Sequence, residues 1–151
     1  MIFISNQTKD QITLDEEWII NVAAKTLMSV TDTNSDITIV IADDSLLHNL
    51  NLEYRGIDSA TDVLSFNVDE LDPETGNLYL GDVIISYQRV IQQSELSGHS
   101  HQAELALLIV HGVLHLLGMD HDTPENQQEM WKFQDIILSG LGLELSSPKY
   151  G

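Results

Sequence analysis

Between His111 and His121 the chain places three imidazoles in the pattern H-x-x-x-H-x-x-G-x-x-H. His111 and His115 are four residues apart, so on an α-helix they sit one above the other on one face, close enough to share a metal ion. Gly118 falls where such a helix has to stop, since glycine takes the left-handed conformation that turns a chain at a helix C-terminus. That turn brings His121 back toward the first two rings. Three neutral nitrogens then converge and a fourth tetrahedral position stays open for water or substrate, the geometry of a catalytic zinc site and not of a closed structural one. Three of the chain's six histidines lie in this short run. The others, His48, His99 and His101, read as surface or helix-entry residues.

A stretch of this kind needs a steady helix beneath it, and the sequence supplies one. From about Ser100 to Leu117 the spacing predicts a helix that is apolar over most of its C-terminal circumference, hence buried at the domain centre. Leu107, Leu108, Leu114 and Leu117 read as its core contacts. Around it, residues 2–5 read as a short strand. Thr13-Leu14-Asp15-Glu16 has the form of a capping box, with Thr13 as cap, ahead of a helix to about Val30 that buries Ile19, Val22, Ala23 and Val30. The polar segment from Thr31 to Asp36 reads as a turn. Ile37 to Ile41 is a β-branched strand, and Asp43-Asp44-Ser45 caps a helix to about Tyr54. Thr61 to Val68 and Leu78 to Ser86 read as strands, joined through the turn signal Asp72-Pro73-Glu74-Thr75-Gly76 into an antiparallel hairpin. Tyr87 to Leu96 reads as a helix broken by Ser97-Gly98. Thr123-Pro124 starts a last helix with Met130, Phe133, Ile137 and Leu141 on its inner stripe. The expected class is α+β: a small, partly antiparallel mixed sheet packed on a central metal-binding helix, with further helices around it. At this length, residues 1–151 read as one metallohydrolase domain without repeat or linker.

Composition narrows the function. There is no cysteine, so thiolate ligands and disulfides are excluded. The start of the chain lacks the basic and long apolar regions of a signal peptide, and Leu105 to Gly118 is short for a membrane span. A cytoplasmic protein without a membrane partner is expected. The formal charge is −18, with six Lys plus Arg against 24 Asp plus Glu. This argues against broad nucleic-acid binding, which rests on basic side chains neutralising phosphates, and no DNA partner is expected. It leaves room for a local site, where a divalent cation and an arginine make a positive spot in an acidic envelope.

The three histidines and the glycine are shared with the metzincin protease signature H-E-x-x-H-x-x-G-x-x-H. The glutamate is not: Gly112 stands there, and a glycine cannot take a proton from metal-bound water as that glutamate does. The full string His111-Gly-x-Leu-His115-Leu-x-Gly118-x-Asp120-His121 instead resembles H-G-x-L-H-L-x-G-Y-D-H of the YbeY family of metal-dependent endoribonucleases. Met119 replaces the tyrosine. Two further blocks are similar to that family. One is Leu50-Asn51-Leu52-Glu53-Tyr54-Arg55 followed by Thr61-Asp62-Val63-Leu64-Ser65-Phe66, and the other is Leu80-Gly81-Asp82-Val83-Ile84-Ile85-Ser86. The chain departs at Ile57-Asp58-Ser59-Ala60, where the family commonly has Lys-Asp-x-Pro, and at Asn67, usually proline.

The resemblance implies a single-strand endoribonuclease that matures the 3′ end of 16S ribosomal RNA and serves ribosome quality control. Its implied partners are ribosomal RNA precursors and small-subunit proteins or assembly factors. It implies one zinc-like ion on His111, His115 and His121, and an Arg55 in the same cleft that activity requires. Arg55 is one of two arginines in the chain, and its planar fork suits phosphoryl oxygens. Three imidazoles favour Zn2+, although nickel, copper and cobalt bind the same donors. Asp62, Asp82 and Asp120 are candidates to act as base or to orient the ligands. Two other functions compete: a zinc peptidase or other metallohydrolase of metzincin-like geometry, and a non-catalytic ribosome-assembly factor whose metal holds the fold. Since imidazoles ligate only when neutral, metal release is expected as pH falls below about 6.

Overall fold

The patterning above predicts four strands and five helices. The computed structural model, which describes residues 1–31 and 35–143, turns these into four strands and five helices among the described residues. In chain order they are β1 (Ile2–Asn6), α1 (Glu16–Val30), β2 (Ser35–Ala42), α2 (Asp44–Arg55), β3 (Val63–Leu71), β4 (Leu78–Ser86), α3 (Tyr87–Ser97), α4 (His101–Leu116) and α5 (Pro124–Gly140). The sheet order is β1-β2-β4-β3. β1 pairs with β2 and β2 with β4 in parallel, while β3 and β4 form the antiparallel hairpin expected from its turn signal. The sheet is therefore small and mixed, and the fold is α+β.

The pleat sorts the sheet's side chains onto two faces. Ile37, Ile39 and Ile41 of β2, Val63 of β3, and Val83 and Ile85 of β4 join the main core with α1 and α4. Val40, Ala42, Leu64 and Ile84 face the other way and pack under Leu47 of α2. From Ala103 through Leu114 every residue of α4 is buried, so this helix is the centre of the domain. Among the described residues, no helix is long and apolar enough to cross a membrane.

Several local expectations need correction. The cap of α1 is Asp15, whose Oδ1 accepts from the Trp18 N–H at 3.1 Å, and not Thr13. A carboxylate two residues nearer serves the same orphan donors and also favours the positive end of the helix. Val30 is exposed because α1 ends there; Thr26 and Leu27 complete its buried face. Thr26 can be buried because its hydroxyl donates to the Val22 carbonyl at 2.8 Å. The turn expected over 31–36 falls largely on residues 32–34, outside the described residues, and Ser35 and Asp36 already belong to β2. β3 begins at Val63, not Thr61. In α5 the Thr123 cap and Pro124 stand as expected, and Met130 and Ile137 are buried. Gln134 and Leu138 are buried beside them, while Phe133 and Leu141 are only half-buried.

Candidate metal centre

The C-terminus of α4 sets the site. The Gly118 N–H donates to the His115 carbonyl at 3.0 Å and the Met119 N–H to the Leu114 carbonyl at 3.0 Å, the paired bonds of a Schellman turn. Gly118 carries the positive φ of +97° that this turn requires. The reversed chain returns His121 to the helix face that bears His111 and His115. One nitrogen from each ring lies within 4.8 Å of the other two. His111 Nε2 and His115 Nε2 are 3.1 Å apart. Two nitrogens held at about 2.0–2.1 Å by one tetrahedral ion stand roughly 3.3 Å apart. The donor set and its spacing therefore fit a single divalent cation.

Protonation favours the same use. His111 is buried, and its Nδ1 lies 2.6 Å from Oε1 of Gln134, a buried residue of α5. An amide oxygen only accepts, so His111 carries its proton on Nδ1 and presents the Nε2 lone pair to the centre. The ligands of natural metal sites are oriented in this way by a second hydrogen bond. Burial, reinforced by the neighbouring His111 and His121, lowers the His115 pKa from 6.5 to about 4. His115 is thus neutral, as a ligand must be, across the physiological range.

One side of this cluster opens onto a cleft of about 230 Å³ lined by Arg55, Val63, Ser65, Asn67, His115, Asp120 and His121. Val63, Ser65 and Asn67 alternate along β3 and so share the strand face turned to α4. Two of them anchor the helix: Ser65 Oγ donates to the Gly112 carbonyl at 2.8 Å, and Asn67 Nδ2 donates to the Leu116 carbonyl at 2.9 Å. Arg55 ends α2 and reaches the same cleft. Among the described residues no hydrogen bond or ion pair engages its guanidinium, whereas Arg89 is tied to Asp44 at 3.2 Å. Gly112 is not among the residues lining the cleft. A Cβ there would lie 2.4 Å from Val83 Cγ1, and 3.3 Å from both Ser65 Oγ and Val63 Cγ2. The position held by glutamate in the metzincin signature is therefore packed against the sheet and has no room for a side chain.

The structure brings His111, His115, His121, Arg55 and Asp120 together. It does not bring Asp62 or Asp82 to them. Asp62 is buried at the entry to β3, where Oδ1 accepts from the Val63 N–H at 2.9 Å and Oδ2 from Gln93 Nε2 at 3.3 Å. Its carboxylate starts a strand and fastens it to α3. Asp82 accepts from the Tyr79 hydroxyl at 2.6 Å, and that hydroxyl also meets Thr38. A pairing irregularity beside Gly81 changes the alternation of β4, so that Leu80 and Val83 both face the core while Asp82 faces the opposite side. Asp120 accepts from the His121 N–H at 2.7 Å and lines the cleft. Of the remaining histidines, His101 is exposed at the start of α4 and His48 pairs with Asp58 at 2.6 Å. His99 is more embedded than expected, pairing at 2.7 Å with the buried Glu104. Sequence reading missed Gln134, Ser65 and Asn67 as parts of this assembly. The available signal for Gln134 was a polar residue on the inward side of an amphipathic helix.

Comparison with known proteins places this geometry in a family. A family model described as Endoribonuclease YbeY matches residues 3–142. An Endoribonuclease YbeY of Roseiflexus castenholzii is 48% identical over 113 residues, covering 72% of this chain and 71% of that protein. One from Syntrophomonas wolfei is 38% identical over 152 residues, covering 95% of this chain and 97% of its own length. The solution structure of TM1509 from Thermotoga maritima superposes with a TM-score of 0.57 over the whole of both chains at 21% identity, which speaks for a shared fold.

Proposed function

This chain belongs to the endoribonuclease YbeY family, and from that premise we propose that it is a metal-dependent hydrolase that cuts single-stranded RNA, its substrate being ribosomal RNA precursor and its product the mature 3′ end of the 16S species. The observation that carries the reading is a cluster of three convergent imidazoles, two of which line a cleft together with an arginine that is unpaired among the described residues. The ribosomal assignment rests on the likeness of the three motif blocks to the family. The cytoplasmic setting and the small-subunit proteins or assembly factors as partners rest on that likeness and on the cysteine-free, strongly acidic composition.

His111, His115 and His121 would hold the ion, most readily Zn2+ given three imidazole donors. Bound there, a divalent ion supplies Lewis acidity toward a phosphoryl oxygen. The chain's own residues do the rest. Gln134 keeps the His111 lone pair turned inward. The Arg55 fork binds the phosphate and matches the charge that grows on its oxygens during cleavage. Asp120 is the carboxylate at the cleft and is placed to hold a proton there. The crowding at Gly112 speaks against peptidase chemistry of the metzincin kind, whose general-base glutamate the fold cannot admit at that position.

The test pairs metal analysis with cleavage of a single-stranded RNA and of casein by wild type, His111→Ala and Arg55→Ala. Arg55→Ala should keep its metal and lose about 2–4 kcal/mol of transition-state stabilisation, by analogy with removing one oxyanion donor. His111→Ala should lose both metal and cleavage. Cleavage equal in all three proteins would mark a contaminating nuclease and remove the enzyme reading. Casein hydrolysis abolished in His111→Ala would transfer the reading to a peptidase.

A further inference from the structure

With six basic side chains against 24 acidic ones, the chain can gain little affinity for RNA from its own charged groups. Arg55 is the basic residue lining the cleft, Arg89 is tied to Asp44, and Lys25 Nζ is spent on the Gly140 carbonyl at 2.6 Å. Beyond Arg55 and an ion on the three histidines, a contact that needs no charge would help to hold the strand. Directly before Arg55, in the last turn of α2, stands Tyr54. Its side chain is 63% exposed although it is a large aromatic group. It is not loose: its ring meets Phe66 at a centroid distance of 5.3 Å and an interplanar angle of 62°, an edge-on contact. Phe66 is itself half-buried against the Leu64 and Ile84 cluster under α2. On β3, Phe66 lies between Ser65 and Asn67, both of which line the cleft from the other face of the strand. The aromatic pair therefore stands on the α2 face of the edge strand β3, across that strand from the cleft, one residue from Arg55 on α2 and one residue from Ser65 and Asn67 on β3. An edge-on contact leaves much of the Tyr54 ring open to solvent.

We infer that Tyr54, steadied by Phe66, is a stacking platform for an unpaired base of a strand that passes round the β3 edge from the phosphate held by Arg55. The inference rests on the nuclease reading of the cleft and adds the means by which the strand is held. Unpaired bases present free π-faces, and stacking on an aromatic side chain needs neither positive charge nor a particular base. The platform therefore selects single-stranded over duplex RNA, whose bases are already stacked, and tolerates sequence.

The experiment measures kcat and KM of the metal-loaded protein on a short single-stranded oligoribonucleotide. It also follows binding by quenching of a 2-aminopurine placed beside the cleavage point. Tyr54→Ala should raise KM roughly 5- to 100-fold, the range for loss of one stacked base, and change kcat far less. Tyr54→Phe and Tyr54→Trp should keep near-wild-type KM and quenching. Tyr54→Leu, which still covers Phe66 without a π-face, should fold like wild type and bind like the alanine variant. Affinity should fall only shallowly with salt, with a logarithmic slope near −0.7 for the single arginine–phosphate contact. Wild-type KM and quenching in both Tyr54→Ala and Tyr54→Leu would overturn the platform while leaving the nuclease reading intact. So would a Tyr54→Phe variant as weak as alanine, which would assign the effect to the hydroxyl. A wild-type protein that neither binds nor cuts RNA would refute the nuclease reading, and the platform with it.

Discussion

Gly112→Ala is the smallest change that tests how the metal helix is seated. The new methyl would sit 2.4 Å from Val83 Cγ1, with Ser65 Oγ and Val63 Cγ2 each at 3.3 Å. Carbon atoms settle at about 3.5–4.0 Å, so the pair must separate by at least about 1 Å. Val83 is fully buried on a central strand, and a β-branched side chain there has little rotamer freedom. The strain of such overpacking is typically about 1–3 kcal/mol. Against it stands the gain from replacing a mid-helix glycine with alanine, about 0.5–1 kcal/mol. The clash is the larger effect, and the net loss should be about 1–2 kcal/mol. For a domain of this size that is a fall in Tm of roughly 2–8 °C, read by circular dichroism on the metal-loaded and chelated protein. Adding Val83→Ala removes the opposing methyls, so the double variant should recover more than the two single effects predict, with a coupling of about 1 kcal/mol. Since the displaced helix carries His111 and accepts the Ser65 hydrogen bond, metal affinity should fall in the single variant and return in the double one. A Gly112→Ala protein that melts at or above the wild-type temperature would show that α4 is not pressed against the sheet as described.

Two further outcomes follow from the site. Gln134→Leu leaves the His111 Nδ1–H without its acceptor and should weaken Zn2+ binding about 10- to 100-fold, measured by competition with a chromophoric chelator; unchanged affinity would refute the orienting role, and Gln134→Glu should bind at least as tightly as wild type. The His115 pKa, lowered from 6.5 to about 4 chiefly by burial, means that the unfolded chain takes up this proton first, so stability of the chelated protein should be level above pH 6.5 and drop as pH falls from 6.5 toward 4. Thermal melts across that window test this, and His115→Gln should flatten the profile. The same shift puts proton competition at this one ligand below the pH of about 6 expected of an ordinary imidazole.

What could be read from the sequence was what is decided within a turn or two. The apolar circumference of α4, the glycine at its end, the Thr123-Pro124 start of α5 and the turn at Asp72–Gly76 each act locally, and each stands where the spacing put it. Features that depend on a partner from far along the chain were hidden. Gln134 shares the inward side of α5 with Met130 and Ile137, but by spacing so does Gln127, and only the docking of α5 on α4 picks out the residue that meets His111. Asp82 sits in a strand whose alternation changes at the irregularity beside Gly81, and a pattern of period two cannot say which face a residue takes after such a change. Asp62 lies in a motif block beside cleft residues, yet its carboxylate is consumed by the Val63 amide and Gln93. Glu104 reads as a solvated residue in the first turn of a helix but is buried with His99 as partner.

These placements together settle the sign of the charge in the cleft. Asp62 and Asp82 are turned away, Gly112 replaces an acid, and the group that orients His111 is a neutral amide. Among the residues lining the cleft, Asp120 is the single acid and Arg55 the single base. Without an ion the two cancel, and the surrounding excess of carboxylates leaves an RNA strand with little to approach. An ion held by three neutral rings keeps its full charge, because no ligand neutralises it, and Arg55 then adds to it. On the proposed reading, the ion-loaded chain would repel polyanions over most of its surface and attract one at a single place. Loading of the histidine site and affinity for a phosphate should therefore rise and fall together, through electrostatics alone and before any bond is broken.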